Sequence, residues 1–375
     1  MGTTFLTAVR GRSGRLLHAA AAALTTPLLP ADYLALFDPL LGGRWPAGRV
    51  ESVRPETAEA TTLVIRPGRG WGGFRAGQYV PVGVDIDGVL HWRTYSLSSA
   101  PGRPGEPFAL TVKALPDGLV SGRLAQDTGP GTVLRLGPAQ GDFTLPEPLP
   151  ERTLFLTAGI GLTPVMSMLR ALARRQGGRN ASAGDVVLVH SAPDRAATVF
   201  GRELRVLSRR MPWLRVHLHH TRTSGRRLTP QRLSAVCPDW RERQTWTCGP
   251  GPMLDALRQH WHEQGPAVER RLHLERFRPA LPAAASGAGA EDGLIRFQRT
   301  GVDVPAGAGV PLLRAGEAAG VAMPSGCRMG ICFGCVASLV QGRVRDLRTG
   351  EITGEPGTLV QTCVCTAVGT VAVDL

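Results

Sequence analysis

The chain is almost without lysine: Lys113 is the single one, and nearly all of the positive charge is arginine. Aromatic residues are also sparse, at 5% of 375 positions, and they never interleave with a basic stripe, so no nucleic-acid partner is expected. No apolar run reaches the roughly 18 residues that a spanning helix needs. Cysteine is scarce as well. Seven in a chain of this length do not make a disulfide scaffold, and the pattern suits a reducing compartment. What is present is ordinary globular material, 43% hydrophobic and 19% charged, enough for two or three domains. The net charge of +13 suits an acidic partner, a nucleotide phosphate or an anionic membrane surface. From Asp292 to Leu375, however, seven arginines balance seven acidic residues, so the excess lies upstream.

The few cysteines are concentrated. Cys327, Cys332 and Cys335 read C-x4-C-x2-C, and Cys363 follows 28 positions on. Thiolates are soft ligands, and this spacing with a distant fourth cysteine is that of a plant-type 2Fe-2S cluster. A structural zinc site would normally bring two C-x2-C pairs, and here there is one. Ser325, Gly326, Gly330 and Gly334 allow the backbone to curl so that amides face cluster sulfurs. Cys365 stands two residues after Cys363, so an extended chain would put both on one face. Spacing alone therefore leaves the fourth ligand open between them.

Taken in order, residues 1–43 read as a leader with two candidate helices, Leu16 to Leu24 and Asp32 to Leu41, expected to pack on the next domain. Arg10, Arg12 and Arg15 before an apolar stretch mimic an export signal, but a cofactor-loaded redox chain argues for a cytoplasmic location. Residues 44–149 show short strands, among them Ala60–Arg66, Gln78–Val84 and Phe108–Lys113, with turns at Asp87-Gly88 and Pro116-Asp117-Gly118. That pattern predicts a small antiparallel barrel. Residues 150–279 alternate strand and helix: strands at Thr153–Thr157, Val186–His190, Leu214–His220 and Gln244–Cys248, and helices opened by Pro164, near Val199 and at Pro252. A doubly wound parallel sheet is expected there. Residues 280–291 are an Ala/Pro/Gly/Ser-rich linker, and 292–375 form the last domain. The fold class is thus β barrel, then α/β, then an α+β, β-grasp-like ferredoxin domain.

Four motifs carry chemistry. Arg93-Thr94-Tyr95-Ser96 ends a barrel strand and supplies a cation, an aromatic face and hydroxyl donors, which a flavin needs. Lys113 to Ser121 runs from a strand through a Gly118 turn into a helix start, where amides hold phosphate. Gly159-Ile160-Gly161-Leu162-Thr163-Pro164 is a glycine loop between strand and helix, suited to close approach by a dinucleotide. Thr247-Cys248-Gly249-Pro250 ends another strand at the same sheet edge, and a small polarisable thiol there can lie by a nicotinamide. Cys248 is not read as a nucleophile, since no base stands beside it in sequence. His217, His219 and His220 read as a solvated strand end.

Over Trp45 to Pro279, the R-x-Y-S, G-x-x-S, G-x-G-x-T-P and C-G-P elements stand in the order and spacing of the ferredoxin-NADP reductase superfamily, which this region resembles. The C-terminal 84 residues resemble a plant-type ferredoxin. The fusion is similar to reductases of oxygenases and desaturases. Trp71 to Tyr79 and His91 to Leu97 look like the actinobacterial reductases that feed a membrane stearoyl-CoA Δ9 desaturase. The resemblance implies FAD bound by Arg93, Thr94, Tyr95 and Ser96, with Lys113, Gly118 and Ser121 at its phosphate turn. It implies a nucleotide loop of Gly159, Gly161 and Thr163. Thr221 and Arg222 would hold a 2′-phosphate, with Arg226 and Arg227 adding charge, so NADPH is favoured and NADH is possible. Cys248 and Gly249 would lie on the nicotinamide side, and Glu275 and Phe277 by the flavin ring. Ser96, Cys248 and Glu275 would line the reaction, and Cys327, Cys332, Cys335 and Cys363 would hold the cluster. The implied acceptor is a membrane di-iron fatty-acyl desaturase, with at most peripheral attachment to the inner membrane face. Alternatives are the reductase component of a soluble or ring-hydroxylating oxygenase, and a non-catalytic iron-sulfur redox sensor.

Overall fold

The computed structural model describes residues 37–42, 46–116, 118–175, 184–225, 227, 229–277, 293–307, 309–326, 328, 330 and 334–375. The first candidate helix, the linker 280–291, Arg226, Cys327 and Cys332 lie outside the described residues. Of the second candidate helix only the end is described, and it stops sooner than expected. From Asp38 the chain turns, because Pro39 disfavours helix at the residue before it and Asp38 Oδ1 accepts the Leu40 N–H at 3.0 Å.

The first sheet contains β1 (Ala47–Thr57), β2 (Ala60–Pro67), β3 (Tyr79–Ile86), β4 (Val89–Ser96), β5 (Phe108–Lys113) and, after helix α1 (Leu119–Gln126), β6 (Val133–Leu136). The order is β4-β3-β6-β1-β2-β5, antiparallel throughout. A bridge between Leu97 and Leu110 joins the two ends into a barrel. The β3–β4 hairpin turns at Asp87-Gly88, with φ of 53° and 78°, the left-handed pair that matches strand twist. Inward residues such as Val80, Val82, Leu63 and Ile65 fill the interior, and Trp71 stacks on Phe108 with centroids 4.5 Å apart.

The second sheet contains β7 (Arg152–Ala158), β8 (Asp185–Ala192), β9 (Leu214–His220), β10 (Gln244–Cys248) and β11 (Leu272–Glu275), with helices α2 (Leu162–Arg175), α3 (Gly201–Arg210) and α4 (Gly251–His262) among them. All pairs are parallel, in the order β11-β10-β7-β8-β9. Both faces are covered, which explains the unbroken apolar runs. Phe155, Val186 and Leu188 pack with α2 residues on one side, while Leu154, Val187 and Val189 pack with Trp240 and Trp261 on the other. The direction of winding reverses between β7 and β10. In such sheets the crevice at this switch point is where ligands bind.

The third sheet contains β12 (Leu294–Phe297), β13 (Val302–Pro305), β14 (Val336–Asp346), β15 (Ile352–Thr353) and β17 (Cys365–Val373), in the order β13-β12-β17-β14-β15. A short strand β16 (Leu359–Gln361) pairs with the start of β14. Only β12 and β17 run parallel, and helix α5 (Leu312–Ala318) packs on this mixed sheet. The barrel, the doubly wound sheet and the small mixed sheet are the expected classes.

Helix α2 fastens the first two sheets together. Ser167 Oγ donates to the Ser99 carbonyl and Arg170 Nη1 to the Ser98 carbonyl, both at 2.6 Å. Arg170 is itself held by Glu203 and lies over the Phe200 ring. The end of β4 is thereby set against the helix that follows the nucleotide loop.

Candidate flavin, nucleotide and iron-sulfur sites

Strand β4 carries Arg93, Thr94, Tyr95 and Ser96, paired in register with Val82, Pro81, Val80 and Tyr79. Burial holds the Tyr95 phenol neutral far above its ordinary range, only partly offset by the Arg93 charge. Arg93 Nη1 donates to the Trp92 carbonyl at 2.7 Å and also to the carbonyl of Gly326, in the cluster-bearing loop. An aromatic ring, two hydroxyls and a guanidinium along one strand end fit a flavin. At the phosphate turn, Gly118 caps α1. Ser121 Oγ accepts the Leu115 N–H at 3.2 Å and donates to the Gly118 carbonyl at 3.1 Å. A Cβ at position 118 would lie 2.1 Å from that hydroxyl, so the turn requires glycine. Ser121 therefore shapes the turn. Lys113 is committed to Glu59 at 2.7 Å, and its hydrogen bond and charge hold that carboxyl below the usual range.

In the crevice the two loop glycines play different parts. Gly159, with φ of 54°, has open space where a side chain would begin, so its backbone is free for close approach. At Gly161 a Cβ would lie 2.3 Å from the Cys248 carbonyl oxygen, so this glycine lets the loop after β7 rest on the end of β10. The loop is a 3-10 turn, and α2 starts at Leu162, two residues before the expected Pro164. Thr163 is buried, and its hydroxyl donates to the Ile160 carbonyl at 2.9 Å. Thr221 opens a short helical turn after β9, and the exposed Arg222 is ion-paired with Asp194.

Cys248 and Glu275 are neighbours in register on β10 and β11. Burial pushes the Glu275 carboxyl up to about 7, with Asp142 adding to the effect. The Cys248 thiol is fully buried and held well above its ordinary range, first by burial and then by Glu275. It stays neutral, as a non-nucleophile should, and it is covered in this conformation. Phe277 is 37% exposed, at the end of the segment that follows β11. At the end of β9, His217 is exposed, as the expected solvated strand end has it, while His219 and His220 are partly buried. His220 Nε2 lies 3.2 Å from Thr198 Oγ1, on the sheet face that also holds the buried His190. His190 had no sequence signal beyond its strand. Its Nδ1 lies 2.8 Å from Thr157 Oγ1, and burial, then His220, pushes it down to about 4.

In the third unit Cys335 and Cys363 share a small apolar pocket with Leu313 and Val364. Thr362 ties them, its N–H and hydroxyl reaching the Cys335 carbonyl at 3.1 and 2.8 Å. Cys365 packs instead in the main core of the mixed sheet, where burial, then Asp346, raises its thiol to about 11. The expected shared face of Cys363 and Cys365 is not found, because residues 362–364 form a turn and break the alternation. The loop before Cys335 has left-handed backbone at Arg328 and Gly330, with φ of 57° and 70°. Arg328 makes a two-pronged pair with Glu317, and Arg348 Nη1 donates to the Gly330 carbonyl at 2.7 Å. Two buried thiols, with left-handed backbone at Arg328 and Gly330 and the Gly330 carbonyl held by Arg348, fit an iron-sulfur cluster. Arg348, Arg170 and Ser167 were not foreseen, since nothing in their local sequence marks them.

A flavin barrel, a pyridine-nucleotide sheet and an iron-sulfur unit on one chain define an electron-transfer flavoprotein oxidoreductase. The oxidoreductase FAD-binding domain model matches residues 69–145, and the 2Fe-2S iron-sulfur cluster binding domain model matches residues 295–368. The chain is 48% identical to an NADPH oxidoreductase of Mycobacterium tuberculosis, over 95% of this chain and 91% of the relative. It is 31% identical to a glycine betaine monooxygenase reductase subunit of Chromohalobacter salexigens, over 75% and 81% of the two chains. Phthalate dioxygenase reductase shares the fold, with a TM-score of 0.54 at 22% identity, covering 88% of this chain and 98% of that one. The chain belongs to the ferredoxin-NADP reductase type of NAD(P)H-dependent flavoprotein oxidoreductases that carry a C-terminal 2Fe-2S domain. FAD, when bound, turns the electron pair of a hydride into single electrons that a one-electron centre accepts. Among the described residues no helix is long and apolar enough to cross a membrane.

Proposed function

We propose that the protein passes electrons from NADPH, through FAD and the 2Fe-2S centre, to a membrane di-iron fatty-acyl desaturase. The observation that carries the internal route is Arg93, which joins the flavin strand to Gly326, the residue before Cys327 in sequence. In this reading residues 44–149 hold FAD, 150–279 hold the nucleotide, and 292–375 hold the cluster, with 1–43 as leader and 280–291 as linker. Arg93, Thr94, Tyr95 and Ser96 orient the flavin. Lys113, Gly118 and Ser121 form its phosphate turn. Gly159, Gly161 and Thr163 seat the nucleotide, and Gly249 borders the nicotinamide. Thr221 and Arg222 select the 2′-phosphate once Arg222 exchanges Asp194 for it. Glu275, half-titrated near neutral pH, holds and releases a proton at its carboxyl, beside the neutral Cys248. No general base is needed for the hydride step, because the flavin is the acceptor. Cys327, Cys332, Cys335 and Cys363 ligate the cluster. The separation of Cys363 from Cys365 supports that choice.

The resemblance of Trp71–Tyr79 and His91–Leu97 to desaturase reductases supports the acceptor. The basic excess upstream of a neutral cluster domain suits a cytoplasmic protein that touches the membrane only at its surface. The likeness to a monooxygenase reductase subunit supports a second reading, with a soluble or ring-hydroxylating oxygenase as acceptor. The intact nucleotide loop argues against a redox sensor without turnover. The test is reconstitution of the NADPH-reduced enzyme with desaturase-containing membranes. Acyl-CoA-dependent reoxidation is expected, and reoxidation only by a soluble oxygenase would select the second reading.

A further inference from the structure

Gln361 ends β16 opposite Val336, the residue after Cys335, and stands two positions before Cys363. Its side chain is only 9% exposed. Arg348 Nη2 donates to Gln361 Oε1 at 3.0 Å. A guanidinium has no acceptor, so this contact fixes which end of the amide faces the arginine. The other end, Nε2, is buried and has no hydrogen-bond partner among the described residues. A buried donor left unpaired is destabilising, and native chains normally supply an acceptor.

The surroundings indicate where that acceptor comes from. The same guanidinium holds the Gly330 carbonyl, inside the loop that bears the first three cysteines of the motif. Asp346 pins it from behind, at 3.0 Å on Nε and 2.6 Å on Nη2. Gly330 has no room for a side chain, since a Cβ would lie 2.3 Å from Arg348 Nη1. Asp346, Arg348 and Gln361 thus form a brace between the cysteine loop and the turn that carries Cys363, with one donor to spare.

We propose that Gln361 Nε2 donates a hydrogen bond to a sulfur of the 2Fe-2S cluster, and that Arg348 is the positioning residue that holds the amide in that orientation. This rests on Cys327, Cys332, Cys335 and Cys363 being the ligands. A donor aimed at sulfur favours the reduced, more negative state, so it raises the reduction potential.

The direct test uses the full chain, made with heavy-nitrogen label only in glutamine side chains and chemically reduced. Pulsed electron paramagnetic resonance should detect label coupled to the cluster spin. A reduced cluster with no such coupling would overturn the proposal. No cluster signal at all would overturn the ligand assignment instead. In parallel, Gln361→Leu should lower the equilibrium constant for one-electron reduction about tenfold, about 59 mV. Gln361→Glu, which keeps the shape but replaces the donor by an acceptor, should lower it further. Arg348→Lys should shift it the same way by less. An unchanged potential in Gln361→Leu would also overturn the proposal. If that variant loads no cluster, the labelled wild-type protein still decides.

Discussion

The nucleotide crevice and the cluster pocket are built by opposite means. In the crevice, backbone does the shaping. Gly159 leaves open space, and Gly161 allows the loop after β7 to rest on the Cys248 carbonyl. In the cluster pocket, side chains distant in sequence do the bracing, as Arg348 joins Gly330 to Gln361 and Thr362 supports Cys335. A site made of backbone must be written with glycine at fixed offsets, so it shows as a short motif. A brace made of side chains needs only a donor and an acceptor brought together by the fold, so it leaves no local signature beside the cysteine motif that it supports.

The contrast is sharpest at the cysteines. Cys363→Ser should abolish the cluster, cutting the iron-sulfur resonance signal per bound FAD by more than about tenfold, whereas Cys365→Ser should keep the cluster and only loosen the sheet core. Equal loss in both variants would mean that the turn at 362–364 does not sort them. In the crevice, Gly161→Val should slow flavin reduction by NADPH on the order of 10²-fold in stopped flow while FAD content stays normal, because a misplaced loop loses its reacting geometry. A rate close to wild type would show that the contact with Cys248 relaxes freely.

Two buried groups test the same sheet through pH. His190 is depressed to about 4 from an ordinary 6.5, so its contribution is intact above pH 6.5 and is lost as pH falls toward 4. The loss amounts to at most about 3 kcal/mol. Chemical denaturation of wild type and His190→Gln across that window should show the difference narrowing in acid. Specificity should respond less. Arg222→Ala should reduce the kcat/KM preference for NADPH over NADH about tenfold, roughly 1.4 kcal/mol, with little change in NADH turnover. The smallest effect concerns Glu275. Its raised carboxyl, about 7, means that the folded state is penalised as pH rises from 4.5 through 7, and that turnover should inflect near 7. Glu275→Gln should remove that inflection, and a profile unchanged in the variant would assign the inflection elsewhere.

Much of the architecture was legible. Strands Phe108–Lys113, Leu214–His220 and Gln244–Cys248 span the residues expected of them. The Asp87-Gly88 hairpin and the glycine loop were legible as well. What escaped depends on tertiary placement. The arginine bias reads as a compositional habit, yet Arg243 is buried between Asp185 and Asp239, Arg170 fastens the barrel to α2, and Arg348 braces the cluster loop. No local pattern separates these from the solvent-facing arginines. Likewise, the alternation rule applied to Cys363 and Cys365 assumes a strand that the turn has already interrupted.

The central claim is that one chain carries electrons from nucleotide to flavin to cluster. An anaerobic titration with NADPH, followed by visible absorbance and electron paramagnetic resonance on the same samples, tests it most directly. The account predicts flavin bleaching together with the signal of a reduced 2Fe-2S cluster, the latter lost in Cys363→Ser while bleaching persists. Cluster absorbance without flavin bleaching, or bleaching that never reduces the cluster, would contradict it.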